Sequence, residues 1–248
     1  KYFEFINLST QKFGKPVSLK PHLLSNFFYK IATDINIIQN VKKIIGKDLY
    51  IWSSAFFVKA PGEGKFVSYH QDNPYWQLSD DKVVTAWIAL TKSDKNSGAL
   101  ELFPKSHCTG IINKLDVRNP RASYLKGMKT TVSGDMLSFK HNLNKFIKNN
   151  KSRIINLLPS QFSIHHVNTV HGSGINKSKR YRIGFAVRYI SSDTYHLREK
   201  NDRALHVSGK KNKYYTDEIY PKKNFSKESI KQYKKSLFST GVFGNKRY

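Results

Sequence analysis

A chain of 248 residues with 39% apolar and 13% aromatic content carries enough core-forming material for one domain, and that composition excludes disordered and low-complexity classes. Lys+Arg 43 against Asp+Glu 17 give a net charge of +26; a field of that sign attracts anions, but only nine of the cations are arginine and the lysines form no continuous arm, which argues for lysine-rich coding bias and against a nucleic-acid partner. A single cysteine, Cys108, excludes an internal disulfide and points to a reducing compartment, and no stretch approaches the ~20 apolar residues of a membrane span, so the expected location is the cytoplasm.

From 21 to 45, apolar residues recur as Leu24, Phe28, Ile31, Ile35, Ile38, Val41 and Ile45, the spacing of one or two amphipathic helices, closed by Gly46. The texture then changes to short β-branched and aromatic runs at 49–59, 66–70, 83–90, 99–103, 136–139, 162–166 and 183–190. Between them lies turn chemistry, including Pro61-Gly62-Glu63-Gly64, Asp94-Lys95-Asn96-Ser97-Gly98, Ser133-Gly134-Asp135 and His171-Gly172-Ser173-Gly174. The implied fold class is mainly β with flanking helices: a sandwich or jelly roll over about 47–190 inside one domain, 1–248. After 190 the pattern loosens into a lysine-rich extension, 191–248, where 226–238 is expected to form a packing helix.

Within Val67-Ser68-Tyr69-His70-Gln71-Asp72, read as strand, residues 70 and 72 share a face, which sets an imidazole beside a carboxylate. Nine His and eleven Asp give about 0.4 His-x-Asp matches by chance, so the pair needs context. With a distant histidine it could bind one face of Fe(II) and leave positions open for other ligands. His171 suits that third place, ending an apolar strand before two glycines, and Arg182 opens a later strand with a guanidinium able to grip a carboxylate, Gly184 leaving room beside it.

Four pieces in chain order then carry a likeness: Tyr69-His70-Gln71-Asp72 with Tyr75-Trp76; Thr85-Ala86-Trp87-Ile88-Ala89-Leu90; Ser97-Gly98-Ala99-Leu100-Glu101-Leu102-Phe103-Pro104-Lys105-Ser106-His107; and His171 through Arg182. Over about residues 45–190 the chain resembles the phytanoyl-CoA dioxygenase-like (PhyH) branch of the Fe(II)/2-oxoglutarate oxygenases. The resemblance implies a double-stranded β-helix, a jelly-roll or cupin-like core, with iron held by His70, Asp72 and His171. It implies Fe(II), 2-oxoglutarate and O₂ as cofactor and co-substrates, with Arg182 on the distal carboxylate of 2-oxoglutarate and Ser173 hydrogen-bonded to the same group. Gln71, Trp87 and Lys59 are further candidates for the co-substrate pocket, although strand parity turns Gln71 away from the metal. Ser160-Gln161 stands where the family often has Gly-Asp or Gly-Gln, a departure that touches a turn.

Candidate substrate contacts are Tyr75, Trp76, His165, His166 and Arg188, each with a plain alternative as core or structural side chain. His107, His141 and Cys108 read as structural or inert. Related halogenases lack the carboxylate ligand, so Asp72 favours hydroxylation, with succinate and CO₂ as co-products, and the positive field of the chain favours a small, anionic metabolite or biosynthetic intermediate as substrate. Desaturation or cyclisation by the same oxidant, nucleic-acid demethylation and a non-enzymatic metal-binding jelly roll stand as alternatives. The sequence implies a small-molecule partner and says nothing of oligomeric state.

Overall fold

The computed structural model describes residues 1–112, 143–197 and 202–238, for Phe238 the backbone only; the expected strand at 136–139, the turn at 133–135 and His141 lie outside them. The chain divides into two compact units: Lys1–Phe56, Leu78–Ala86 and Ala186–Tyr248 form one, Phe57–Gln77 and Trp87–Phe185 the other. Three strands contribute residues to both: β1 (Leu49–Lys59), β3 (Val83–Ala89) and β8 (Arg182–Ser191). Their near-continuous apolar runs match their burial, since every residue of β3 and β8 is buried. With β6 (Phe162–His166), β9 (Arg203–Ser208) and β10 (Thr216–Asp217) they form a six-stranded sheet in the order β10-β9-β1-β8-β3-β6. Among the described residues no helix is long and apolar enough to cross a membrane.

In the first unit, α1 (Tyr2–Phe13) is a helix that the sequence reading did not pick out, because apolar residues at 2, 3, 5, 6 and 8 give no clean stripe. It ends on Gly14, whose left-handed backbone directs its N–H to Thr10 O at 2.8 Å. Phe5 anchors it, edge-on to Phe28 and Phe56 at ring separations of 5.3 and 5.6 Å. The expected helical stripe of 21–45 becomes a 3₁₀ turn at Pro21–Leu23, then α2 (Asn26–Ala32) and α3 (Ile35–Ile45). Asp34 breaks it and caps α3, accepting from Asn36 N at 2.9 Å, so the register resets. Ile37, Ile38, Val41 and Ile45 then face the core, and Ile35, counted in the stripe, is 59% exposed.

The extension after residue 190 corrects the expectation of a loose tail. β9 pairs antiparallel with β1, Ile51 opposite Leu205, and β10 adds to β9 in parallel, while the expected helix forms as Lys227–Phe238. Buried polar contacts secure it. Lys20 Nζ donates to Glu218 Oε1 at 2.5 Å, and Trp52 Nε1 donates to Asp202 Oδ2 at 2.6 Å. Burial pushes the Asp202 carboxyl up to about 6, against the opposing pull of Lys20. Since the folded chain then holds this proton more tightly than the unfolded one, the associated stability is present below pH 4 and is lost as pH rises to about 6. Asp202→Asn cannot ionise, so the difference between its denaturation profile and that of the wild type is expected to remove this fall, at most about 3 kcal/mol.

The second unit holds the four-stranded sheet β2-β7-β4-β5, made of β2 (Val67–His70), β4 (Leu100–Leu102), β5 (Arg153–Ile154) and β7 (His171–Ser173). The three residues of β7 lie between β2 and β4, antiparallel to both; Leu102 is opposite His171 on one side and His70 is opposite it on the other. His171 therefore opens a strand, where the sequence reading had it closing one. A short helix α4 (Asn73–Trp76) follows β2, and α5 (Asn144–Asn149) precedes β5.

Candidate active site

Because His70 and His171 are register partners, two residues a hundred positions apart face each other with ring centroids 4.1 Å apart. Each imidazole is oriented by a backbone carbonyl two residues upstream: His70 Nδ1 donates to Ser68 O and His171 Nδ1 to Thr169 O, both at 2.9 Å. That bond fixes the tautomer and turns the Nε2 lone pair toward the neighbouring donors. Burial, reinforced by the neighbouring His70, holds the His171 imidazole well below the usual histidine range, so it stands neutral and ready to ligate.

Asp72 joins them by a different route from the expected one. The strand stops at His70, and Asp72 has helical backbone angles, φ −74 and ψ −39, at the start of α4. Asp72 N and Asn73 N both donate to Val167 O, at 3.1 and 3.2 Å, which ties this turn to the segment leading into β7. The turn, not strand parity, sets Asp72 Oδ1 at 3.4 Å from His70 Nε2. One donor atom from each of His70, Asp72 and His171 lies within 4.8 Å of the other two. Two neutral nitrogens and one carboxylate oxygen on one side of a point form the donor set that suits Fe(II) with positions left open.

Arg182 supplies the second test of fit. It is 2% exposed, its Nε has no hydrogen-bond partner among the described residues, and Nη1 lies 3.5 Å from Phe57 O. Among the described residues no carboxylate pairs with it, and burial alone pulls the guanidinium down to about 10. A buried cation without a protein counter-ion suits an anionic ligand. Trp87 packs under it, the guanidinium carbon 5.4 Å from the ring centroid. That packing corrects the expected role of Gly184: a Cβ there would fall 2.0 Å from Trp87 Cζ2, so the room it leaves is filled by indole, not by a ligand.

Lys59, fully buried at the end of β1, donates to Ser173 Oγ at 2.6 Å, to Ser173 O at 3.0 Å and to Gly174 O. Its ammonium thus fixes Ser173. Gln71 is committed to backbone: Nε2 donates to Gly110 O at 2.8 Å and Asn168 O at 2.6 Å, and Oε1 accepts from Ile112 N at 2.9 Å. It pins the turn between two ligands, so Gln71→Ala is expected to weaken Co(II) binding about tenfold in a spectroscopic titration. His165 lies beside His171, ring centroids 4.7 Å apart, whereas His166 pairs with exposed His107 at 5.6 Å. Tyr75 and Trp76 are buried in α4, and Arg188 is buried in the part of β8 that belongs to the first unit. The sequence reading passed over Asn168 and Asn176; the Asn-x-Ser turn pattern at 176–178 was the available signal for the latter.

An antiparallel β scaffold that presents two histidines and an aspartate to one point, in the unit that also buries Arg182, is the arrangement of a candidate mononuclear non-haem iron centre. A family model described as phytanoyl-CoA dioxygenase (PhyH) matches residues 6–184, and the chain belongs to that family. Among curated relatives it is 23% identical over 195 residues to the "Probable alpha-ketoglutarate-dependent hypophosphite dioxygenase" of Stutzerimonas stutzeri, covering 79% of this chain and 63% of that one. It is 27% identical over 165 residues to the ectoine dioxygenase of Streptomyces avermitilis, covering 62% of this chain and 52% of that one. The matches thus span less than two thirds of either relative. The apo form of the non-heme monooxygenase ThoJ shares the fold with TM-score 0.76 at 19% identity, over 97% of this chain and 86% of that one. The fold is therefore the expected jelly-roll, cupin-like one.

Proposed function

We propose that this chain is an Fe(II)/2-oxoglutarate-dependent dioxygenase that hydroxylates an unactivated C–H bond of a small, anionic or zwitterionic metabolite. The observation that carries this reading is the convergence of the His70, Asp72 and His171 donors in a unit that also buries Arg182, with no carboxylate paired to that guanidinium among the described residues. The relatives named above are a probable hypophosphite dioxygenase and an ectoine dioxygenase, names that support a small-molecule substrate. The net charge of +26 favours anions at the surface.

When bound, Fe(II) with 2-oxoglutarate and O₂ supplies the oxidising equivalents, one oxygen atom going to the substrate carbon and one to succinate as CO₂ leaves. The chain's own share is positioning. Carbonyls of Ser68 and Thr169 hold both imidazoles in the ligating tautomer. Arg182 would receive the distal carboxylate of the co-substrate, and Ser173, accepting from Lys59, keeps its own hydrogen for the same group. Trp87 shields the Arg182 contact from water on one side, which strengthens it. His165, Tyr75 and Trp76 are the side chains we place nearest the substrate.

Turnover of 2-oxoglutarate with Fe(II) and ascorbate, screened against small anionic and zwitterionic metabolites, is the test. Succinate formation stimulated by one class, with product mass raised by one oxygen atom, is the expected result; loss of two hydrogens would replace hydroxylation by desaturation or cyclisation. Absence of succinate under every condition would overturn the activity.

A further inference from the structure

Between Ser173 and Arg182 lies a side chain that the function above does not use. Asn176 is 2% exposed, and its amide is fully engaged. Nδ2 donates to Lys59 O at 2.9 Å and to Arg180 O at 2.7 Å; Oδ1 accepts from Ser178 N at 2.9 Å and Ser178 Oγ at 2.7 Å. Its own carbonyl accepts from Gly62 N at 3.3 Å. The lysine whose backbone it holds is the one whose ammonium fixes Ser173, and Arg180 stands two residues before Arg182. One amide therefore ties the backbone of Lys59, whose ammonium holds Ser173, to the segment that leads into Arg182.

The surroundings leave this segment little freedom. Gly98 has φ +70, and a Cβ there would lie 2.3 Å from Gly174 O and 2.9 Å from Ile175 O, so the backbone between Ser173 and Asn176 is seated directly on that turn. Thr91 Oγ1 donates to Tyr181 O at 3.0 Å and accepts from Ile183 N at 2.8 Å, which fixes both neighbours of Arg182. Against these fixed points the separation of Ser173 from Arg182 is set by the 174–181 connection, and Asn176 is its buried tie.

We propose that Asn176 is a positioning residue that sets the span from β7, which carries His171 and Ser173, to Arg182, and thereby the length of 2-oxo dicarboxylate that the site accepts. This rests on the co-substrate reading given above. A 2-oxo acid bound through its oxo end to a metal that His70, Asp72 and His171 would hold meets the guanidinium only when its chain length matches that span, and a slackened connection meets longer and shorter acids almost as well.

The test is calorimetric binding of 2-oxoglutarate, oxaloacetate and 2-oxoadipate to the full chain loaded with Mn(II), without turnover. Asn176→Ala removes the Nδ2 donations to Lys59 O and Arg180 O, and is expected to weaken 2-oxoglutarate about tenfold while the other two acids change about twofold or less, with Mn(II) affinity retained. Asn176→Asp sets a carboxylate against those carbonyls and is expected to do the same or more. Unchanged 2-oxoglutarate affinity, or an equal loss for all three acids, overturns the proposal. Should both variants fail to fold by circular dichroism, Ser178→Ala decides: a two- to threefold selective loss supports the proposal and no selective loss overturns it. A wild-type chain that binds metal but none of the acids would instead overturn the co-substrate reading.

Discussion

Asp72→Ala is expected to abolish succinate formation and to weaken Co(II) binding at least about a hundredfold. Asp72 is the single anionic donor of the three, and His171 is held neutral by burial, so the variant leaves two uncharged nitrogens to hold a dication. The substitution addresses chemistry more than folding. The Asp72 side chain does not cap α4, and the link from this turn to Val167 is made by the backbone N–H groups of residues 72 and 73, which alanine keeps. A melting temperature within a few degrees of the metal-free wild type is therefore expected. His70→Ala should give the same loss of turnover with a larger loss of stability, because its ring also packs on His171 at 4.1 Å. Succinate formed at the wild-type rate by either folded variant would remove that residue from the metal assignment.

The sequence made the long, buried strands legible: the expected run at 49–59 coincides with β1, and 183–190 falls inside β8, because near-continuous apolar and aromatic runs leave few alternatives. The site was legible as residue types, less as geometry. His70 and Asp72 were paired by strand parity, yet the strand ends at His70 and a helical turn brings Asp72 round, an outcome that depends on Val167, 95 residues further on. The opposition of His70 and His171 is a register between β2 and β7, and three residues of strand carry too little periodicity to reveal it. Non-local polar pairs were equally hidden. Lys20 finds Glu218 only through the fold, so a segment read as lysine-rich extension is in fact held to the sheet by buried charge. At Gly184 the residue was noticed and its reason mistaken, since the partner that needs the space is Trp87, on another strand.

Arg182 yields the second large effect, and it separates binding from stability. Arg182→Met is expected to reduce 2-oxoglutarate affinity by about 2–5 kcal/mol, roughly 30- to several-thousand-fold, because the only buried guanidinium facing no protein carboxylate among the described residues of its unit is lost. The same change is expected to raise the melting temperature of the ligand-free chain. Burial, with no counter-ion among the described residues, pulls the guanidinium down to about 10, so the folded state bears a desolvation cost that a methionine of similar shape, packed on Trp87, does not. Arg182→Lys keeps the charge but replaces a planar fork with a point donor on a shorter stem, so 2-oxoglutarate KM should rise at least about tenfold while substrate KM changes little. Scanning calorimetry with and without 2-oxoglutarate reads both halves at once: the co-substrate should raise the wild-type melting temperature and leave that of Arg182→Met unmoved. A ligand-induced shift preserved in Arg182→Met would assign the carboxylate to another cation, with Lys59, already turned toward Ser173, the first to test.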